Sequence, residues 1–485
     1  MFKVNLRWSL SLLIVVLSAP WALGQSIADR FRLVMGQCKL PNVQERTFCG
    51  TFKVPEDRTR PTKRTISLKL VVLSADNEHP KPDALFVLAG GPGQAATDNV
   101  DFYARIFRAV RKERDIVVVD QRGTGGSNQL KCDLYGKTVQ GHLNDLLPLD
   151  AVKRCLKDWR THADLRFYTT PIAMADLNEL REALGYVQID IFGTSYGTRA
   201  AQFFLRQYPA QVRSVILKGV TPITENIPIV IAPDAQNSLE RVFADCEANI
   251  TCQSAYPKLR EEFAALLKRF ETGPILVNYT SADNNTEAVK LSRGTFVTTI
   301  RSLLQSTATI AQLPQLIHES YQEKYTGLIK SILTVRDGFS AQVGVGVFLA
   351  VVRSEDLPFT KGTEGQRLAR GTFMGDYYYQ QLRSSSSLLP RAHVPADYKS
   401  PVGSAVPVLI LSGYLDPATP PDNGEEVART LTNRKHIVVR YGSHSYSSLS
   451  PCIDELMSAF IDTAQVESLD TGCVGGIAQT PWSIP

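Results

Sequence analysis

Short apolar runs rich in β-branched residues alternate along this chain with longer stretches whose apolar positions recur every three or four residues. The runs Ile66–Leu73, Ala84–Ala89, Ile116–Asp120, Ile189–Phe192, Ser214–Lys218, Val406–Leu411 and His436–Arg440 predict strands. Helical periodicity predicts helices around Phe102–Arg111, Ala173–Leu184, Tyr196–Tyr208, Asn423–Leu431 and Leu449–Asp462. Strands that alternate with helices in this way specify a mostly parallel α/β sheet flanked by helices. The rhythm breaks between about Thr221 and Ser400, where long helical patterns (Leu239–Ala248, Leu259–Phe270, Phe296–Gln305) carry few strand signals, and it resumes at Val406. The expected organisation is therefore a core over 25–220, a mainly helical insertion over 221–400, and the rest of the core over 401–485.

The first 24 residues stand outside that rhythm. Lys3 and Arg7 precede an apolar stretch from Trp8 to Ala19, then Pro20 and Ala22-Leu23-Gly24. This is the layout of a cleavable signal peptide, too short in its apolar part for a membrane span. It predicts a secreted or periplasmic protein with no stable membrane anchor. The eight cysteines all follow the leader and fall into four sequence-local pairs: 38–49, 132–155, 246–252 and 452–473. In an exported chain an even count reads as disulfides, and no Cys/His spacing suggests a metal. Three Asn-x-Ser/Thr sites begin at Asn249, Asn278 and Asn284. Composition adds only exclusions. The 485 residues are 44% hydrophobic and 21% charged, which argues against a disordered or coiled-coil chain. A net charge of +5 is spread along the chain, so no nucleic-acid partner is indicated.

The strongest chemical signal is Gly193-Thr194-Ser195-Tyr196-Gly197, set directly after a predicted strand and before a predicted helix. A sharp strand-to-helix turn lifts a serine hydroxyl above the sheet edge, and the flanking glycines keep neighbouring backbone clear of it. Such a nucleophile needs a base and a group that orients the base, and the chain order is Ser, acid, His. Asp416 stands in the loop after Val406–Leu411, and His444 in the Gly/Ser-rich loop after His436–Arg440. Ser195 is the expected nucleophile, His444 its general acid/base, and Asp416 the group holding the imidazole tautomer. Asp422, a competitor for the acid role, reads as the cap of the following helix. An oxyanion hole needs two N–H donors: Tyr196 after the nucleophile, and Gly90 or Gly91 in the loop Ala89-Gly90-Gly91-Pro92-Gly93-Gln94. That loop lacks the spacing of a phosphate-binding motif. No metal or organic cofactor is required by this chemistry.

GGPGQ at 90–94, DQRGTGGSN at 120–128, GTSYGTR at 193–199, LSGYLDPATP at 411–420 and GSHS at 442–445 occur in this order. Together they resemble the secreted tripeptidyl aminopeptidase-like members of the α/β-hydrolase fold, relatives of the prolyl aminopeptidases. The resemblance runs from about residue 45 to 475 and includes the C-terminal element of that branch, around 400–475. It implies an α/β-hydrolase core with a helical lid, and a triad of Ser195, Asp416 and His444. It also implies that Arg122 is an internal ion-pair partner. Family aminopeptidases use acids of the insertion to hold the substrate's free amino terminus. The segment Val351–Pro358 resembles that region, which makes Glu355 and Asp356 the candidates, against the plainer reading of two solvated helix-end acids. The expected partners are peptides with a free N-terminus. An ester hydrolase using the same triad is the alternative, and an inactive binding protein is disfavoured by the intact Ser, acid and His.

Overall fold

The computed structural model describes residues 32–446 and 450–484, so the leader expected over 1–24 lies outside the described residues. Eleven strands form among them: β1 (Leu33–Leu40), β2 (Val43–Pro55), β3 (Thr65–Leu73), β4 (Ala84–Leu88), β5 (Ile116–Val119), β6 (Ile189–Thr194), β7 (Val212–Lys218), β8 (Ile275–Thr280), β9 (Thr286–Leu291), β10 (Val408–Gly413) and β11 (Arg434–Val439). The helices that bear on the argument are α1 (Val100–Ile106), α2 (Thr170–Ala183), α3 (Tyr196–Gln207), α4 (Ile227–Ala248), α5 (Arg293–Leu303), α6 (Thr326–Gln342), α7 (Pro421–Ala428) and α8 (Pro451–Thr463).

Nine strands make one sheet in the order β1-β2-β3-β5-β4-β6-β7-β10-β11. The six strands from β5 to β11 run parallel, and β1, β2 and β3 add an antiparallel margin. Every residue of β4 and β5 is buried, as a strand covered on both faces requires. Successive residues serve opposite faces: Leu85 and Val87 pack with Val100, Tyr103, Ile453 and Phe460 of α1 and α8. Phe86 and Leu88 join Leu177, Leu180, Ala200 and Phe204 of α2 and α3. The seven strands read from the apolar pattern are all present. The hairpin β1–β2 was not legible, because its polar-rich residues bury only in part at the sheet margin. Cys38–Cys49 ties that hairpin, and Cys132–Cys155, Cys246–Cys252 and Cys452–Cys473 complete the expected pairing.

Between β7 and β10 the chain leaves the sheet and returns beside the strand it left, with Val408 in register with Val215. The excursion is mainly helical but contains the small hairpin β8–β9. It is stitched to the first glycine loop, since Gly344 N donates to Gly93 O at 2.8 Å. Gly346 N donates to Leu130 O at 2.9 Å, which ties the same stretch to the core. The excursion is thus held close over the carboxyl ends of β4 and β6. No helix among the described residues is long and apolar enough to cross a membrane.

Candidate active site

β6 ends at Thr194, α3 begins at Tyr196, and Ser195 between them has φ 55° and ψ −128°. A non-glycine residue persists there only where its surroundings enforce it. Ser195 N donates to Lys218 O at 3.0 Å, and Ser195 O accepts from Thr198 N at 2.9 Å and from Thr198 Oγ1 at 2.6 Å. The steric need for glycine is concrete: a Cβ on Gly197 would lie 2.1 Å from Leu88 O, and one on Gly193 would lie 2.6 Å from Gly197 O.

Asp416 is buried in the loop after β10, and its carboxylate is fully engaged. Oδ1 accepts from Ala418 N (2.8 Å) and Thr419 N (2.9 Å). Oδ2 accepts from Thr419 Oγ1 (2.6 Å) and His444 Nδ1 (2.8 Å). Burial alone would raise the Asp416 carboxyl, but His444 and the Thr419 and backbone hydrogen bonds outweigh it and hold the group below its ordinary value. An acceptor-only carboxylate fixes the proton on Nδ1 and leaves Nε2 with a free lone pair. Thr419 Oγ1 also lies 3.0 Å from Nδ1, so it gives its proton to Asp416 and offers its lone pair to the ring.

Ser195 and His444 line one cavity of about 630 Å³ beneath the inserted helices. No hydrogen bond joins Ser195 Oγ to the ring among the described residues, and such contacts often tighten only when substrate is bound. Gly91 and Tyr196 also line this cavity. A Cβ on Gly90 would fall 2.9 Å from Ser195 Cβ, so that backbone passes directly beside Ser195. Tyr196 opens α3, and its N–H therefore has no carbonyl one turn back within the helix.

The acids expected to hold an amino terminus lie elsewhere. Glu355 and Asp356 are completely buried, and neither lines the cavity. Glu355 accepts from Thr170 N (2.6 Å), Thr170 Oγ1 (2.7 Å) and the Tyr398 hydroxyl. Asp356 Oδ1 pairs with Arg199 of α3 at 2.9 Å and with Lys399 at 2.8 Å. Thr170 Oγ1 in turn lies 2.5 Å from Tyr196 OH. Both the substrate-binding expectation and the solvated-acid reading are corrected: these carboxylates brace α3, the helix behind Ser195, from inside the protein. The short apolar context of Val351-Val352 on one side and Leu357-Pro358 on the other was the available signal for burial. Arg122 is, as expected, an internal partner, bidentate to Asp176 at 2.6 and 2.8 Å. Asp422 sits in the first turn of α7 without capping it.

Several cavity residues were not found in the sequence. Glu225, in the loop after β7, lines the cavity and is tied to Asn423 Nδ2 at 2.6 Å. Burial pushes its carboxyl up to about 7 against the opposing field of Arg199. Lys218 closes β7 and also lines the cavity, its ammonium 4.4 Å from the centroid of the Tyr446 ring; burial brings it down to about 8. Arg301 of α5 and Arg336 of α6 reach the same space. Thr419 had the most signal, as a hydroxyl three residues beyond a turn aspartate. The others are single charged residues whose importance comes from distant neighbours. Among the described residues no cluster of three or more His, Cys, Asp or Glu side chains is arranged to hold a metal ion.

Comparison with known proteins is consistent with this arrangement. The alpha/beta hydrolase fold family matches residues 83–447, and the chain belongs to that family. Serine protease Hip1 of Mycobacterium tuberculosis (strain ATCC 25618 / H37Rv) is 24% identical over 480 residues, covering 87% of this chain and 87% of that protein. The tripeptidyl aminopeptidase of Streptomyces lividans is 22% identical, across 89% of this chain and 84% of that protein. The proline iminopeptidase of Xylella fastidiosa (strain 9a5c) is 30% identical over 144 residues, covering 30% of this chain and 34% of that protein.

Proposed function

We propose that this alpha/beta hydrolase is an exported serine peptidase that hydrolyses peptide bonds near a free N-terminus through an acyl-enzyme on Ser195. The observation that carries the reading is the chain of contacts from Asp416 through Thr419 to His444, with the imidazole sharing one cavity with the strained Ser195. In the proposed reaction Ser195 Oγ attacks the carbonyl carbon while His444 Nε2 takes its proton. The N–H of Tyr196 and one from Gly90 or Gly91 stabilise the developing oxyanion. His444 then protonates the departing amine, and water, activated by the same imidazole, releases the acyl group.

Glu225 replaces Glu355 and Asp356 as the candidate for the substrate's ammonium group, because it is the cavity-lining carboxylate on the loop after β7. The names of the similar Streptomyces and Xylella proteins, an aminopeptidase and an iminopeptidase, support the same substrate class. Four disulfides and the sequence of the first 24 residues support export.

The test is turnover of aminoacyl and tripeptidyl amides with free or acetylated amino ends. Cleavage of the free forms is expected, and Ser195→Ala should lower kcat by at least about 10⁴-fold. Equal cleavage of acetylated substrates, or cleavage of simple esters alone, would replace the aminopeptidase reading with an esterase one.

A further inference from the structure

Arg301 and Arg336 come from two different helices of the insertion, α5 and α6, and both line the cavity shared by Ser195 and His444. Arg301 is 9% exposed and Arg336 is 1% exposed. Neither forms an ion pair with any carboxylate among the described residues, and each has a buried Nε with no hydrogen-bond partner. Arg301 rests its guanidinium 5.3 Å from the centroid of the Tyr378 ring. Arg336 lies 5.2 Å from the centroid of Tyr135 and donates only long hydrogen bonds, to Tyr135 OH (3.3 Å) and Thr298 Oγ1 (3.4 Å). A carboxyl group that senses Arg301, Asp234, is itself held well above its ordinary range by burial and by the charges of Glu225 and Asp416.

Arginine does not shed its proton in a protein, so both groups remain cationic. Buried charges are normally paired, because an unpaired one forfeits hydration without compensation. Other buried arginines of this chain obey that rule: Arg122 is paired with Asp176 and Arg199 with Asp356. The two exceptions among the described residues open onto the cavity shared by Ser195 and His444.

We propose that Arg301 and Arg336 form an anion subsite that takes a carboxylate of the peptide substrate. The inference rests on the peptidase reading above and extends it. The cavity then has opposite poles, with Glu225 suited to an ammonium group and the two guanidiniums suited to a carboxylate, which each can grip through two parallel N–H donors. A volume of about 630 Å³ suits a short peptide more than a folded protein. The carboxylate belongs either to the C-terminus of a short peptide or to an acidic side chain.

Binding is measured by calorimetry on the mature Ser195→Ala chain with three probes that have free amino ends. These are tetra-alanine, its C-terminal amide, and that amide with one internal Glu. At least one acidic probe should bind about tenfold or more tighter than the neutral amide, equivalent to about 1.4 kcal/mol. A gain confined to tetra-alanine assigns the C-terminal carboxylate; a gain confined to the Glu peptide assigns a side chain. Arg301→Gln should bring the ratio towards one, and Arg336→Lys should preserve more of it than Arg336→Gln. Equal affinity for all three probes, no measurable binding of either acidic probe, or a preference untouched by Arg301→Gln would overturn the subsite. Should Arg336→Gln fail to fold, Arg301→Gln and the probe comparison decide alone. Cleavage assays with Ser195 intact keep the two readings separate. Uncut peptides with a persisting acid preference would count against the peptidase reading only, and cleavage without preference against the subsite only.

Discussion

Two carboxylate clusters lie within reach of α3, and they have opposite designs. Around Asp416 a buried carboxylate is saturated on one side by Ala418 and Thr419, and its remaining partner, the His444 ring, opens into the cavity. Around Asp356 and Glu355 every partner (Arg199, Lys399, Thr170, Tyr398) is internal, and no carboxylate oxygen meets the cavity. Burial of the acid is common to both. The difference is whether the partner leads outward to the cavity, as His444 does, or inward to another helix, as Arg199 does. A buried ion pair by itself is therefore poor evidence for a catalytic or binding role.

That contrast can be broken most forcefully at Asp356. Asp356→Asn leaves Arg199 buried without its counter-charge and should destabilise the fold by about 3 to 5 kcal/mol. Chemical denaturation followed by far-UV circular dichroism measures this. A loss under about 1 kcal/mol would show that the cluster is not a brace.

At the other cluster the smaller change is Thr419→Val, which keeps the shape and removes the hydroxyl shared by Asp416 and His444. Loss of one hydrogen bond to a charged group, worth about 1.5 to 3 kcal/mol, should cut kcat about tenfold to a hundredfold. Thr419→Ser should recover most of it. An unchanged kcat, with folding verified by its melting curve, would remove Thr419 from the array.

The mildest test uses pH. Glu225 is raised to about 7 by burial, so it is charged above that pH and neutral below it. If it holds the substrate ammonium, KM for free-amine peptides should rise as pH falls through about 7, by up to tenfold per pH unit. Glu225→Gln should have a raised KM at high pH and lose that dependence. A KM for the parent enzyme that is flat from pH 6 to 8 would exclude Glu225 from amine binding.

Much of the fold was legible because its signals are local. Ile116-Val117-Val118-Val119 and Ala84–Leu88 are strands buried on both faces, and an unbroken apolar run of that length says so directly. The turn at Gly193–Gly197 was legible for a related reason, since its glycines answer to backbone atoms a few residues away and to a single neighbouring strand. The β1–β2 hairpin escaped because Gln, Glu, Lys and Arg occupy much of its half-exposed face. Glu355 and Asp356 were misread because a charged pair beside a proline has the same appearance in sequence whether it faces water or an arginine from another helix.

The sequence by itself determined the alternation of strands and helices, the even number and local grouping of the cysteines, and the order Ser195, Asp416, His444. Each of these depends on residues close together in the chain or on a short motif. Only the tertiary structure decided which charges meet. It brought Thr419 between Asp416 and His444, enclosed Asp356 with Arg199 and Lys399, and set Arg301 and Arg336 at the cavity with no carboxylate partner among the described residues. The cost of a buried charge depends on neighbours contributed by distant segments, and no local pattern encodes them.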